Sequence, residues 1–218
     1  MLKGVLFDFD GVVVQSEALH MRTFLELLSP YGVKVSEERW YGEFAGTGSK
    51  SIFERLIKEF GIDANVDQLV EKRKKLYEGY VRGGALKETP GVRGFLDSLH
   101  GSGIKTAIVS GSHRSNVEAA LSVFGLGSYF DLIVSGDEIQ SRKPDPGPFL
   151  HAAEILGVSP KECVVIEDSV AGCESARRAG MKLIVMKSPA TCSVGTYDML
   201  IGDFNGLDAK KIARIDAC

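Results

Sequence analysis

Short apolar runs recur along the chain at Gly4 to Phe9, Lys105 to Val109, Leu132 to Val134, Cys163 to Ile166 and Lys182 to Met186. Several are rich in Val and Ile, the composition of parallel strands buried on both faces. Segments with a helical period lie between them. Val117, Ala120, Leu121 and Phe124 are spaced three, one and three, which puts them on one face of a helix over Ser115 to Phe124. Phe149 to Leu156 and Ala171 to Ala179 read similarly, and Gly180 follows the latter as a stop. Strands alternating with helices predict an α/β fold: a Rossmann-like parallel sheet with helices on both faces.

One stretch breaks the alternation. Residues 16 to 88 hold no convincing strand and read as helices over Glu17 to Leu28, Ser51 to Phe60 and Asp67 to Val81. In the first of these, Leu19, Thr23, Leu27 and Leu28 form the inward face. Gly61 and the Gly83-Gly84 pair punctuate the ends. The expected organisation is a core of residues 1–15 and 89–218 with a helical cap, 16–88, inserted after the first strand. Its hinges would lie near Gln15 and near Thr89-Pro90-Gly91.

Bulk properties narrow the classes. The chain has 218 residues, enough for a sizeable core, and 44% hydrophobic and 25% charged residues place it near the globular average. With 26 basic and 29 acidic residues the net charge is −3, which lacks the basic footprint of a nucleic-acid binder. Its apolar runs fall far short of the roughly 20 residues a membrane span needs. Asp8 and Asp10 interrupt the apolar N-terminal stretch, which makes it a poor secretory leader. Cys163, Cys173, Cys192 and Cys218 form no CxxC pair, and reduced thiols in a cytoplasmic protein are expected.

The chemistry gathers where strands end. Phe7-Asp8-Phe9-Asp10-Gly11 runs a strand directly into two carboxylates and a glycine. Ligands of open parallel sheets bind beyond the carboxyl ends of the strands, and paired acids there call for a cation or proton. Alone, the segment also fits a strand end followed by an Asp-Gly turn. Three other strand ends argue against that. Ser110-Gly111-Ser112 offers a hydroxyl and a flexible backbone to phosphate oxygens. Arg142-Lys143-Pro144 offers a cation, with Pro144 biasing Lys143 toward extended geometry. Glu167-Asp168 is a second acid pair, and Ser169 after it is suited to cap a helix. Asp8, Glu167 and Asp168 would supply an all-oxygen Mg²⁺ site. Attack on phosphorus by Asp8 divides the reaction into two easier steps, and Asp10 is the candidate to move the proton.

These residues match a family. The chain resembles the haloacid dehalogenase superfamily, in the helical-cap subgroup close to β-phosphoglucomutase-like and phosphoglycolate phosphatase-like members. The resemblance rests on Asp8-Phe9-Asp10-Gly11, Ser110, Lys143-Pro144 and Glu167-Asp168-Ser169-Val170-Ala171-Gly172, and it covers nearly the whole chain. It implies a Mg²⁺-dependent phosphatase of small phosphorylated metabolites, with Asp8 as nucleophile and Asp10 as general acid/base. It further implies that Asp8, the main-chain carbonyl of Asp10 and Asp168 bind Mg²⁺ with Glu167 beside them. Ser110 and Lys143 would hold the transferring phosphoryl group. Many members carry an acid where this chain has Gln15, a difference expected to affect cap movement or substrate choice.

The cap is expected to select the substrate. His20 sits where β-phosphoglucomutases also carry a histidine, and Lys72-Arg73-Lys74 resembles their Lys-Arg-Lys segment, which makes Lys74 a candidate for a second phosphate or a sugar. Mutases show Gly-x-Ser-Arg in the cap; this chain reads Gly46-Thr47-Gly48-Ser49-Lys50, with Lys50 one residue late. Lysine clamps phosphate less well than arginine, so hydrolysis is favoured over a mutase. A phosphonatase and a non-catalytic relative are the remaining alternatives. The presence of Asp10 argues against a haloalkanoate dehalogenase. Oligomeric state is not legible.

Overall fold

The structure is a computed structural model that describes residues 1–45, 47–189, 191 and 194–217. Six strands lie parallel in one sheet: β1 (Gly4–Phe7), β2 (Lys105–Val109), β3 (Leu132–Val134), β4 (Cys163–Glu167), β5 (Lys182–Met186) and β6 (Met199–Ile201). Their order across the sheet is β3-β2-β1-β4-β5-β6. The chain therefore winds outward from β1 to one side, then returns and winds to the other. The direction changes between β1 and β4, and the crevice beyond that switch point is where such sheets bind ligands. Phe7 sits opposite Ile108 on one side and Ile166 on the other, which aligns the tips of β1, β2 and β4.

Four helices follow β1: α1 (Glu17–Leu28), α2 (Glu37–Glu43), α3 (Ser49–Phe60) and α4 (Val66–Arg82). They enclose an apolar cluster built on Phe24, Trp40, Phe44, Phe53 and Leu56. On α1 the buried residues are Leu19, Thr23, Phe24 and Leu28, so Phe24 takes the inward place expected of Leu27, which is only partly buried at the cluster's edge. The two chain passages to and from this insert run side by side. Gln15 N–H donates to the Lys87 carbonyl (2.9 Å) and Thr89 N–H to that of Val13 (3.0 Å). Leu19, Tyr77 and Val81 join the same apolar cluster as Val12, Val13 and Val14, so the root of the insert rests on the sheet domain.

The remaining helices cover the sheet. They are α5 (Val92–His100), α6 (Arg114–Phe124), α7 (Gly147–Leu156), α8 (Val170–Arg178) and α9 (Ala209–Ala213). Val5 and Phe7 of β1 face the layer of α5, α6 and α9, whereas Leu6 faces α7 and α8. Phe7 meets Phe95 and Phe130 edge-on, with ring centroids 6.0 and 5.7 Å apart. A side chain of that size fully buried contributes about 2–3 kcal/mol, and it anchors the strand that carries Asp8.

Several boundaries differ from the sequence reading. β1 stops at Phe7, because beyond it the Phe9 carbonyl accepts the amides of Val13 (2.9 Å) and Val14 (3.2 Å) in a tight turn. α3 begins at Ser49, two residues earlier than expected, and α2, α5, α9 and β6 were not foreseen. Cys163 and Cys173 are free and buried. Gly46, Cys192 and Cys218 lie outside the described residues. Among the described residues no helix is long and apolar enough to cross a membrane.

Candidate active site

The Asp8 amide continues the ladder by donating to the Ile166 carbonyl (2.9 Å), which holds its carboxylate beyond the tip of β1 beside β4. Lys143 comes from the loop between β3 and α7. Its ammonium donates to Asp8 Oδ1 (2.5 Å), Glu167 Oε1 (2.6 Å) and the Val109 carbonyl (2.9 Å). An ammonium has three hydrogens, so its donor capacity is used in full and its position is fixed.

Glu167 is fully buried. Its second oxygen, Oε2, accepts from the amides of Asp168 and Ser169 (2.9 Å each) and from the Ser169 hydroxyl (3.0 Å). Ser169 also caps α8 by accepting from Gly172 N–H (3.0 Å). Two glycines permit this packing. A Cβ at Gly172 would overlap the Glu167 carboxylate, and one at Gly11, whose φ is +80°, would overlap that of Asp168. Ligand oxygens of Asp8, Glu167 and Asp168 lie within 4.8 Å of one another, a group that could hold a metal ion. The Asp10 carboxylate stands apart from it.

Asp10 is instead surrounded by donors. Oδ1 faces Ser16 Oγ (2.6 Å) and His20 Nε2 (2.8 Å), and Oδ2 accepts from Ser112 Oγ (2.5 Å). Ser16 occupies the N-cap position of α1, yet its hydroxyl serves Asp10 and no side chain caps that helix.

The electrostatics separate these acids. Burial raises the Asp8 carboxyl to about 8; the Lys143 ammonium opposes this but does not offset it, and the charges of Glu167 and Asp10 add to it. Burial, with Glu167 and Asp8 nearby, also raises Asp168 well above the ordinary carboxylate range. Asp10 behaves oppositely. Burial alone would raise it, but His20, Ser112 and Ser16 outweigh burial and hold it well below that range. Lys143 loses by burial and gains more from Asp8 and Glu167, so it stays charged. Burial thus prevails at Asp8 despite its ammonium partner, whereas the surrounding donors prevail at its neighbour two residues away.

On the β2 tip, Ser112 N–H donates to Ser110 Oγ (2.9 Å) and Gly136 N–H to the Ser112 carbonyl (3.0 Å). A Cβ at Gly136 would run into the Gly111 carbonyl, so the loop after β3 presses directly on the Ser110–Ser112 turn.

A cavity of about 530 Å³ lies between the sheet tips and the insert. Asp8, Asp10, Ser110, Gly111, Ser112, Lys143 and Asp168 line it from the sheet side, and His20 and Lys74 from the insert. Lys74 Nζ lies 3.4 Å from His113 Nε2. Lys50, expected at the substrate, is not brought to the cavity. Its ammonium turns outward to Asp67 Oδ1 (3.0 Å) because the inward face of α3 belongs to Ile52, Phe53 and Leu56. The lining residues not singled out from sequence include Glu17 and Arg73. Glu17 Oε1 accepts from Trp40 Nε1 (2.5 Å). Arg73 is the buried member of the Lys72-Arg73-Lys74 run.

Comparison with known proteins adds the following. The profile of the family described as haloacid dehalogenase-like hydrolase matches residues 5–186. The phosphorylated carbohydrates phosphatase of Thermotoga maritima is 31% identical over 186 residues, covering 84% of this chain and 84% of that protein. The fructose-1-phosphate phosphatase YqaB of Escherichia coli is 30% identical over 181 residues, covering 83% of this chain and 94% of that protein. The crystal structure of CbbY from Rhodobacter sphaeroides in complex with phosphate is similar with a TM-score of 0.84 at 26% identity, covering 95% of this chain and 96% of that one.

Proposed function

We propose that this chain, which belongs to the haloacid dehalogenase-like hydrolases and is a phosphatase, hydrolyses a small phosphorylated metabolite of the sugar-phosphate class by attack of Asp8 on phosphorus. The observation that carries the reading is the Asp8 carboxylate at the switch point, held by Lys143 and within reach of Asp168.

In this reading Asp8 forms the new bond to phosphorus, and Asp10 delivers a proton to the departing alkoxide oxygen. Asp10 then takes a proton from the water that cleaves the aspartyl phosphate. Its low proton affinity leaves it ionised and free to accept a proton in the second half, while delivery of a proton in the first half requires substrate binding to raise that affinity. Ser110 and the amide of Gly111 cradle the phosphoryl oxygens, and Lys143 adds fixed positive charge. Residues 16–88 act as a cap that closes over the substrate and keeps bulk water out.

The acid cluster fits Mg²⁺. Its donors are all oxygen, and burial, with the neighbouring acids adding to it, raises both Asp8 and Asp168, so a cation between them would be well placed to offset their charge. Asp8, Asp168 and the Asp10 carbonyl would hold the ion, while Glu167, its oxygens occupied by Lys143 and the following turn, orients the set. Bound there, Mg²⁺ supplies the charge that keeps Asp8 ionised and lessens its repulsion from a dianionic phosphoryl group. The outward turn of Lys50 supports hydrolysis over a sugar-phosphate mutase, since the described part of the 46–50 stretch presents no arginine to the cavity.

The test is a panel of sugar phosphates and an aryl phosphate, assayed for inorganic phosphate with Mg²⁺ and with excess chelator. Phosphate release is expected only with the metal. Undiminished release in chelator would exclude the metal, and rapid conversion of β-glucose 1-phosphate to glucose 6-phosphate would overturn hydrolysis.

The cradle has its own test. Gly136→Ala pushes on the Gly111 carbonyl, and a displacement of about 1 Å at a reacting centre costs about 10²-fold. A kcat/KM loss of that order on the aryl phosphate is expected, together with a lowered thermal midpoint, because the clash is with backbone and no side chain can swing out of the way. Parent-like kcat/KM would show that the turn does not depend on Gly136.

A further inference from the structure

Asn116 lines the cavity and is 6% exposed. Its Oδ1 is buried without a hydrogen-bond partner, and its Nδ2 makes no hydrogen bond among the described residues. Buried carboxamides are hydrogen-bonded as a rule, and an unmet polar end costs stability. A leucine of nearly the same shape would fill the space without that cost.

Local structure does not account for the residue. Asn116 stands in the first turn of α6, where polar side chains often serve the helix start. That start is already served. His113 is the N-cap residue, its Nδ1 accepts from Ser115 N–H (3.4 Å), and the N–H of Asn116 itself donates to the His113 carbonyl (2.9 Å). Val117, Ala120 and Leu121 carry the apolar packing of the helix. The position of Asn116 indicates what it meets instead. α6 follows the turn whose Ser112 bonds Asp10 (2.5 Å). α4 of the insert lies along α6, with Glu78 Oε1 accepting from Ser115 Oγ (2.9 Å). Asn116 is therefore at the seam of core and insert. In the proposed reaction Asp10 serves the departing oxygen, so this wall faces the group that leaves with it. A carboxamide is neutral, with two donors at one end and an acceptor at the other. Neighbouring hydroxyls, each able to donate and accept, match both ends, and rotation about χ2 presents either end to the cavity.

We infer that Asn116 is a specificity-determining residue: its carboxamide hydrogen-bonds hydroxyl groups of the leaving sugar, and through it the chain selects phosphate esters of hydroxylated over hydroxyl-free alcohols. A site that bonds a substrate hydroxyl rejects the analogue lacking it, because its own polar group is then left unpaired. The same unpaired group lowers the stability of the free protein, a trade of stability for function. The inference rests on the sugar-phosphate reading above and adds the residue that recognises the sugar.

The test measures kcat/KM for phosphate release with Mg²⁺ from fructose 1-phosphate, glucose 6-phosphate and ribose 5-phosphate, each divided by that for phenyl phosphate. The parent is expected to favour at least one sugar phosphate. Asn116→Leu is expected to lower that ratio about 10-fold, through loss of turnover of the sugar phosphate, on the scale of one neutral hydrogen bond. Its thermal midpoint is expected at or above the parent's, since an unpaired polar group gives way to an apolar one. Asn116→Ala guards against a leucine that does not fold; it is expected to lower the ratio likewise, with a lower midpoint from the space it opens. An equal fall for sugar and phenyl phosphates, or a ratio that falls only because phenyl phosphate gains, overturns the inference. A midpoint of Asn116→Leu several degrees below the parent's shows the carboxamide bonded within the fold and overturns it too. The two levels separate cleanly. Absence of phosphate release from every ester removes the hydrolysis reading, and a parent that prefers phenyl phosphate to all three sugars removes the sugar class and the inference together. A sugar preference that both variants leave intact removes only the role of Asn116.

Discussion

Asp8→Asn is expected to lower turnover of an aryl phosphate on the order of 10⁴-fold or more, the scale seen when a covalent nucleophile is removed. The carboxamide has nearly the same shape and its oxygen still accepts from Lys143, so the loss is chemical. Stability is expected to move the other way. The Asp8 carboxyl is raised by burial to about 8, above its unfolded value of 3.8. Such a group binds its proton more tightly folded than unfolded, so its contribution is present at low pH and is lost as pH rises toward 8. A neutral side chain forfeits none of that, and the metal-free variant is expected to melt no lower than the parent at neutral pH. Added Mg²⁺ is expected to raise the parent's midpoint more than the variant's, because a ligand that binds only the folded state stabilises by mass action. Substantial residual turnover in a metal-replete, folded Asp8→Asn would take the nucleophile role from this residue.

The acids of the candidate site were legible in sequence because their positions follow from topology. A strand that ends at Phe7 and another at Glu167, adjacent in a parallel sheet, must bring Asp8 and Asp168 to one edge. Their types then restrict the chemistry. The insert was less legible, because its residues meet the site from helix faces whose phase has to be known. In Lys72-Arg73-Lys74 the charge pattern drew attention to Lys74. The phase of α4 points to Arg73, since Leu69, Arg73, Tyr77 and Val81 recur every four residues and are the buried stripe. That spacing was readable and is the signal that finds Arg73. Lys50 failed for the same reason in reverse, lying off the Ile52, Phe53, Leu56 face. The spacing of Val92, Phe95, Leu96 and Leu99 is as helical as that of α6, but it follows a Thr-Pro-Gly segment that reads as a hinge. β6 gave little warning: it is a three-residue edge strand, partly exposed, with no buried run behind it.

Lys143→Met is expected to cost both activity and stability, and the way the stability loss varies with pH identifies its cause. The ammonium is the one cation that bonds Asp8 and Glu167 in the described structure. Removing it leaves three neighbouring acids facing one another, Glu167 with no exposure at all. Breaking a buried ion pair from one side costs about 3–5 kcal/mol when the orphaned charge must persist. Here the acids can escape by taking up protons. Asp8 and Asp168 are already raised with Lys143 present, and its loss raises them further. The folded variant therefore binds more protons than its unfolded chain between roughly pH 4 and pH 8, and where that holds stability falls as pH rises. The thermal midpoint of Lys143→Met is expected to run parallel to the parent's below about pH 8, where Asp8 keeps its proton in both, and to drop away from it above about pH 8, with Mg²⁺ closing part of the gap. Catalysis is expected to fall by about 10²–10³-fold at every pH where the protein is folded, the usual scale for deleting one fixed group that stabilises developing charge. A midpoint deficit of equal size at about pH 7 and about pH 9.5 would trace the loss to the packing of the lysine stem against Phe149 and would deny Lys143 its electrostatic role.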